Sequence, residues 1–278
     1  MRTLVTGACG FVGRHLVREL AANGHEVVAA DRAAWPAGDA AARGVELDVL
    51  DRAAVRALAL RERPDCCVHL AAIAFVPLSW SDPEQVFRVN VLGTINILEA
   101  MREAAPQGRV LVLSSAEVYG TAPRKGPISE DEPFRPETLY GVSKAAADMA
   151  ALVHARKHGT HTMVARPCNH TGPGQSPNFA VPAFAAQIAA AARGETDGVI
   201  RVGNLDSTRD FLDVRDVVRG YRLLLEKGAP ARAYNLSAGR QRTMREVLER
   251  LAAIAGVTPR IEVDPGRFRP EDSRPILD

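Results

Sequence analysis

The feature that most limits how this chain can fold lies within its first thirteen residues. Gly7, Gly10 and Gly13 are spaced G-x-x-G-x-x-G between an apolar strand at residues 3–6 and a helix at residues 11–22. Glycine lets a backbone turn tightly and approach a phosphate group, and a helix N-terminus behind it supplies N–H donors and positive dipole. The spacing departs from G-x-G-x-x-G, and a tight strand-to-helix turn would use the same glycines. The context favours a pyrophosphate cradle. The triplet follows a strand, opens a helix, and is followed by Asp31 at the end of the next strand, 18 residues after Gly13. A carboxylate there suits the ribose hydroxyls of NAD(H) and repels the 2′-phosphate of NADP(H). Arg32 offsets that repulsion, so both dinucleotides stay open as cofactors. Asp48-Val49, closing a third strand, either meets the adenine or caps a helix.

Further along, strands at 26–30, 44–47, 65–70, 109–114 and 161–166 alternate with helices at 51–60, 83–104 and 138–157. This βαβ repetition predicts an α/β fold, a Rossmann-type doubly wound parallel sheet. The tempo changes after residue 166. Residues 167–179 are rich in Pro and Gly and read as a loop; helices follow at 179–192, 216–225 and 243–254, with strand-type segments at 198–202 and 209–214. The expected organisation is an NAD(P)-binding domain over 1–166, with about 207–235 packing back on it. A smaller C-terminal α/β substrate-binding cap spans 167–278.

Composition excludes several classes. A net charge of +2 gives no electrostatic reason to expect nucleic acid or an anionic membrane, and no apolar run approaches a membrane span. Cys9, Cys66, Cys67 and Cys168 lack zinc-ligand spacing, and reduced thiols of a cytoplasmic protein are the expectation. His154 and His158 stand four apart without a convincing third ligand, so no metal is expected.

The chemistry-bearing segment is Tyr140-Gly141-Val142-Ser143-Lys144, preceded by Ser114-Ser115 at a strand end. Tyr140 and Lys144 lie one helical turn apart and share a face. A free tyrosine has a pKa of about 10, and a nearby ammonium favours its phenolate, so the pair reads as a proton-transfer group with the tyrosine pKa pulled down. Ser115 is placed to hold a substrate oxygen. A surface Tyr and Lys at helical spacing would look the same.

Together these motifs resemble the extended short-chain dehydrogenase/reductase family, its epimerase/dehydratase group. The resemblance rests on the glycine triplet, Ser114-Ser115-Ala116-Glu117-Val118-Tyr119-Gly120 and Tyr140-x-x-x-Lys144. It is extended by His69-Leu70-Ala71-Ala72, by Asn90 with Gly93-Thr94, and by Arg166-Pro167-Cys168-Asn169. It covers essentially the whole chain. It implies Tyr140 as acid/base, Lys144 as the residue that binds the nicotinamide ribose and lowers the tyrosine pKa, and Ser115 as the group polarising the reacting oxygen. It implies that Phe11, Val12, Leu70, Ala71, Ala72, Asn90, Pro167 and Asn169 join the glycines, Asp31, Arg32, Asp48, Val49, Tyr140 and Lys144 at the cofactor. A homodimer through the long helices at 83–104 and 138–157 is also implied.

The segments Asn169-His170-Thr171-Gly172-Pro173-Gly174-Gln175, Arg201-Val202-Gly203-Asn204-Leu205, Arg209-Asp210-Phe211 and Arg267-Phe268-Arg269-Pro270-Glu271 resemble the GDP-6-deoxy-D-mannose reductases. That likeness implies a nucleotide-sugar substrate, GDP-linked by preference. It assigns Ser79, Ser115, Glu117, Asn169, Asn178, Phe179, Arg201, Arg209, Arg269 and Glu271 to its binding. The arginines suit a diphosphate through bidentate bonds. Glu117 occupies the position of a proton-abstracting Glu in sugar-nucleotide dehydratases, so 4,6-dehydration and 4-epimerisation stay as alternatives. Ala116 cannot supply the neighbouring acid that one dehydratase branch uses. A dinucleotide-binding sensor of the same fold is the non-enzymatic alternative; retention of Tyr140 and Lys144 argues against it. The resemblance also implies a further helix after Asp278, so the cap is expected to be trimmed or reduced.

Overall fold

The computed structural model describes residues 1–121, 126–268 and 276–278. The chain divides into two compact units. The first takes Met1–Gly120, Ser129–Pro167 and Val214–Leu236; the second takes Thr121–Ile128, Cys168–Asp213 and Ser237–Asp278.

The first unit is built on a seven-stranded, all-parallel sheet. Its strands are β1 (Arg2–Thr6), β2 (Glu26–Asp31), β3 (Arg43–Glu46), β4 (Cys66–His69), β5 (Arg109–Leu113), β6 (His161–Pro167) and β10 (Ala233–Leu236). The spatial order is β10-β6-β5-β4-β1-β2-β3. The direction of winding therefore reverses between β1 and β4, and ligands of such sheets bind in the crevice at the carboxyl ends of the strands there. The central strands are apolar on both faces because helices cover both, as Leu4, Val5, Val28, Val68 and Leu111 show by being buried. Helix α1 (Phe11–Ala22) packs on α8 (Val214–Lys227), while α2 (Arg52–Glu62), α5 (Gly93–Ala104) and α6 (Leu139–His158) pack side by side. Leu16, Val17 and Leu20 of α1 are fully buried, each worth roughly 1.5–3 kcal/mol of transfer free energy. The helix stops where Gly24 takes φ +80, which residues with a Cβ rarely adopt.

One predicted element is broken. The helix expected at 83–104 is α4 (Pro83–Phe87), a π-helical turn (Arg88–Leu92) and then α5, preceded by α3 (Val76–Ser81). The apolar period runs on through the break, so the sequence pattern hides it. The cause is long-range: Asn90, inside the π turn, is bonded to a distant loop. Strand β10 was also not foreseen; it pairs in parallel with β6 from Ala233–Val164 to Leu236–Pro167.

In the second unit β7 (Asn169–Thr171), β9 (Thr208–Asp213) and β11 (Gln241–Thr243) form a three-stranded sheet ordered β11-β9-β7. Strands β8 (Val199–Val202) and β12 (Arg260–Val263) form a parallel pair. Phe184 and Ile188 of α7 (Ala180–Ala192) pack with Ile200, Val202, Leu205 and the Leu248 face of α9 (Met244–Ala255). A capping box between Thr243 and Glu246 starts α9. Strand β7 lies inside the Pro/Gly-rich stretch expected to be a loop: three residues suffice because Phe211–Asp213 of β9 lies alongside.

Candidate active site

The glycine loop is shaped by contact. Gly7 takes φ +70, and a Cβ there would lie 2.7 Å from the Ala71 nitrogen; at Gly13 a Cβ would lie 2.2 Å from the Gly7 carbonyl oxygen. The loop after β1 therefore rests directly on residues 70–71 at the end of β4, on the two sides of the topological switch. Gly10 opens α1 with no side-chain cap, and the first turn of α1 carries no acidic residue. An uncapped helix N-terminus behind a glycine cradle fits a pyrophosphate.

Asp31, at the tip of β2, accepts hydrogen bonds from the Cys9 N–H at 3.0 Å and the Ala33 N–H at 3.1 Å. Its carboxylate thus tethers the glycine loop. Arg32 beside it is exposed. Asp48 is exposed and accepts from the Leu50 N–H, while Val49 is buried and its carbonyl accepts from Asn96 Nδ2 at 2.9 Å. The burial of Cys9 pushes its thiol pKa up, as does Asp31, which leaves the loop cysteine a thiol and not a thiolate.

Beneath the loop a buried relay runs from Thr6 Oγ1 to His69 Nδ1 at 2.7 Å, and from His69 Nε2 to Thr94 Oγ1 at 3.1 Å. Burial, with Lys144 adding to it, drives the His69 pKa down to about 3, so the imidazole is neutral and structural. Asn90 is buried, its Oδ1 accepts from Ile73 N–H at 2.8 Å, and its Nδ2 donates to the Ile73 carbonyl and to Ser143 Oγ. These bonds pin the loop after β4 to α6. Ser79 is fully buried in α3 and donates to the Val76 carbonyl at 2.7 Å.

Ser115 follows β5 and caps a short 3₁₀ turn, Ala116–Tyr119, accepting from the Glu117 N–H at 3.2 Å. Tyr140 and Lys144 lie on the first turns of α6, whose N-cap Thr138 accepts from the Gly141 N–H. Gly141 permits the approach of helix to turn, since a Cβ there would lie 3.1 Å from the Glu117 carbonyl oxygen. The Ser115 side chain lies near enough to the Tyr140 phenol to favour its ionised form weakly. Fold and motif thus bring Ser115, Glu117, Tyr140 and Lys144 together.

The electrostatics differ from expectation. Tyr140 is pushed up to about 12, by burial first and by the Glu117 carboxylate second; Ser115 opposes this more weakly. Lys144 is buried and pulled down to about 8, with Asp148 opposing the shift. Burial and the Glu117 carboxylate, and not the Lys144 ammonium, set the direction of the Tyr140 shift. The protein alone holds a phenol able to donate a proton.

In the second unit Asn169 starts β7 and is exposed, as are Asn178 and Phe179 at the entry to α7, while Pro167 is buried at the end of β6 in the first unit. Arg201 is exposed and its guanidinium lies 3.6 Å from the Glu262 carboxylate on the neighbouring strand, the structural ion pair that single arginines often make. Arg209 is half-buried and donates to the Thr208 carbonyl. Beside it Asp210 is buried and accepts from the Ala238 and Arg240 N–H groups. Arg269 and Glu271 lie outside the described residues. His154 and His158 acquire the third donor that the sequence did not reveal, Glu99 of α5, with all candidate ligand atoms within 4.8 Å of one another. Glu99 is already paired with Arg102 at 2.7 Å and with His154 Nε2 at 3.1 Å, which accounts for the group as a helix-to-helix link. Among the described residues no helix is long and apolar enough to cross a membrane.

Comparison with known proteins agrees with this geometry. Residues 3–237 match the model of the NAD dependent epimerase/dehydratase family. The chain is 37% identical to a GDP-6-deoxy-D-mannose reductase of Pseudomonas aeruginosa, over 99% of this chain and 87% of the relative. It is 35% identical to a dTDP-glucose 4,6-dehydratase of Streptomyces griseus, over 91% and 78%. The structure of RMD from Pseudomonas aeruginosa complexed with NADPH superposes with a TM-score of 0.88 at 35% identity, covering 99% of this chain and 88% of that one. With the glycine cradle, the topological switch and the Ser115/Tyr140/Lys144 group in place, the chain belongs to the NAD dependent epimerase/dehydratase family.

Proposed function

We propose that this protein reduces the C4 ketone of a nucleotide-linked 4-keto-6-deoxy sugar, GDP-4-keto-6-deoxy-D-mannose by preference, to GDP-D-rhamnose or its C4 epimer. The observation that carries this reading is the proton-donor group: a half-buried, protonated Tyr140 beside Ser115, with the buried Lys144 one turn away. The 37% identity to a GDP-6-deoxy-D-mannose reductase supports the choice of substrate.

The cofactor is NAD(H) or NADP(H), which supplies hydride to the sugar carbon when bound. Gly7, Gly10 and Gly13 would hold its pyrophosphate, Asp31 its adenosine ribose, and Lys144 its nicotinamide ribose. At the sugar, Ser115 donates a hydrogen bond to the C4 oxygen and Tyr140 delivers the proton that completes the alcohol. A tyrosine held protonated across the neutral range suits the reducing direction, because the proton to be given is already in place. Asn169, Asn178, Phe179, Arg209, Arg269 and Glu271 are proposed to bind the nucleotide sugar. Arg201 is proposed with them as the weakest candidate, because its guanidinium is shared with Glu262.

Glu117 favours a second reading. Its carboxylate acts on the Tyr140 phenol, and a carboxylate at that point could abstract a sugar proton, as dehydration requires. One assay separates the readings. Purified protein with NADPH or NADH and GDP-4-keto-6-deoxymannose should oxidise the cofactor with matching loss of the keto sugar. Absence of turnover with either cofactor sinks the reductase reading. Conversion of GDP-mannose without net cofactor oxidation replaces it with dehydration, and cofactor binding without turnover of any nucleotide sugar replaces it with a sensor.

We also infer a homodimer. Leu92 and Ile95, on the π turn and α5, with Val142, Met149 and Val153 on the neighbouring α6, are exposed apolar side chains on two packed helices. A contiguous apolar face of this kind marks an association surface.

A further inference from the structure

The proton-transfer groups sit on two elements. Ser115 and Glu117 belong to the turn after β5, and Tyr140 and Lys144 belong to α6, so the placement of Ser115 beside Tyr140 is only as well defined as the fit of turn against helix. A buried polar group that the proposed reaction does not touch spans these same elements. Arg166 of β6, 3% exposed, directs Nε and Nη2 to the two oxygens of Asp148 at 2.8 and 3.0 Å. Asp148, with no exposure at all, stands on α6 one turn beyond Lys144 and two beyond Tyr140. Arg166 Nη1 donates to the Tyr119 hydroxyl and to the Glu130 carbonyl, each at 2.8 Å. Tyr119 is the last residue of the Ser115 turn, and its own hydroxyl donates to Asn235 Oδ1 at 2.9 Å. The guanidinium also lies over the Phe134 ring, 4.7 Å from its centroid.

We propose that Arg166, Asp148 and Tyr119 form a strut that fixes the Ser115 turn against the Tyr140 helix, which makes them positioning residues for proton delivery. The inference rests on the reading of Tyr140 as proton donor. Its physical basis is threefold. A buried ion pair is a weak device for stability, because desolvation offsets most of the Coulombic gain and apolar side chains of similar volume often serve as well. What the planar, bidentate guanidinium adds over apolar packing is fixed distance and angle. The two ends of this strut are the turn that bears Ser115 and the helix that bears Tyr140. At Gly141 turn and helix already approach at backbone distance, so a displacement at Tyr119 shifts Ser115 relative to Tyr140 without slack to absorb it.

The decisive variant is Tyr119→Phe, which keeps the ring and removes the bridging hydroxyl. A misplacement of about 1 Å can cost about 100-fold in rate, so kcat for keto-sugar reduction should fall about 10- to 100-fold while KM for sugar and cofactor stays within about threefold. On a Tyr140→Phe background the same change should cost less than about twofold, because the strut acts through Tyr140. Unchanged kcat, or an equal loss on both backgrounds, overturns the proposal. A second readout needs no substrate. The chain has four tyrosines; with ¹³C at Cζ, the Tyr140 resonance is identified by its absence in Tyr140→Phe. It should move in Tyr119→Phe and in Asp148→Asn as the Ser115 turn shifts against the phenol. An unmoved resonance in folded Tyr119→Phe overturns the strut. If the wild-type protein does not reduce the keto sugar, the functional reading fails while the resonance still decides the strut.

Discussion

Tyr140 and Lys144 are displaced in opposite senses, and burial drives both: the phenol up to about 12, the ammonium down to about 8. The consequence for pH is specific. Tyr140 keeps its proton throughout the working range, so the first group of the pair to titrate as pH rises is Lys144. In the reductive direction kcat/KM should fall as pH passes about 8. The linkage with stability runs the other way. A lysine with a folded pKa below its ordinary 10.5 costs stability below about 8, and that cost is relieved as pH rises towards 10.5. Loss of activity between pH 8 and 9.5 should therefore occur without loss of fold, checked by a rate profile beside thermal melts at the same pH values. At the other end of the site, Asp31→Asn keeps a carbonyl acceptor for only one of the Cys9 and Ala33 N–H groups, which use different carboxylate oxygens, and removes the charge proposed to face the 2′ position. The ratio of kcat/KM for NADPH to that for NADH should rise about tenfold or more, since one unfavourable charge contact near a phosphate is worth about 1–2 kcal/mol at partial exposure.

At the level of elements, the glycine loop is the most constrained piece of chain. Gly13→Ala would drive a Cβ into the Gly7 and Ala8 carbonyls at 2.2 and 2.6 Å. Backbone cannot yield as a flexible side chain does, so the change should cost about 1–3 kcal/mol or more of stability and abolish dinucleotide binding, measurable by melting and by fluorescence titration with NADH. Gly24→Ala, where φ is +80 but nothing lies within 4 Å of a Cβ, should leave binding intact. This loop and α1 were legible in the sequence because their signals are local: a turn needs glycines, a helix needs a period and a stop. The same holds for β1, β2, β4, β5 and β6, whose apolar runs report burial on both faces. What could not be read depends on partners distant in the chain. The π turn exists because Asn90 reaches Ile73 and Ser143, and β7 exists because β9 lies beside it. The Asn90 motif marks a residue without saying what it touches, and its bonds to Ile73 and Ser143 come from the fold. Spacing likewise does not report the burial and the Glu117 carboxylate that push the Tyr140 phenol up.

In the molecule as a whole, the parallel-sheet unit carries the proton donor, and the proposed sugar contacts from Asn169 to Arg209 belong to the second unit. The apolar face shared by α5 and α6 adds a further level. Met149 and Val153 are each 55% exposed on α6, and Met149→Glu should convert a dimer to a monomer in sedimentation or light scattering at micromolar concentration, with the fold intact by circular dichroism. A wild-type monomer at the same concentration would contradict the inferred face. The central claim, net ketoreduction by the Tyr140 group, is tested most directly by label transfer. Protein is incubated with NADPH or NADH carrying deuterium on the transferable position, together with GDP-4-keto-6-deoxymannose, and the sugar is analysed by mass spectrometry and NMR. The account predicts one deuterium at C4 of the product for each cofactor oxidised, and a rate in Tyr140→Phe lower by about 100-fold or more. Product formed without deuterium at C4, or full activity in Tyr140→Phe, would contradict it.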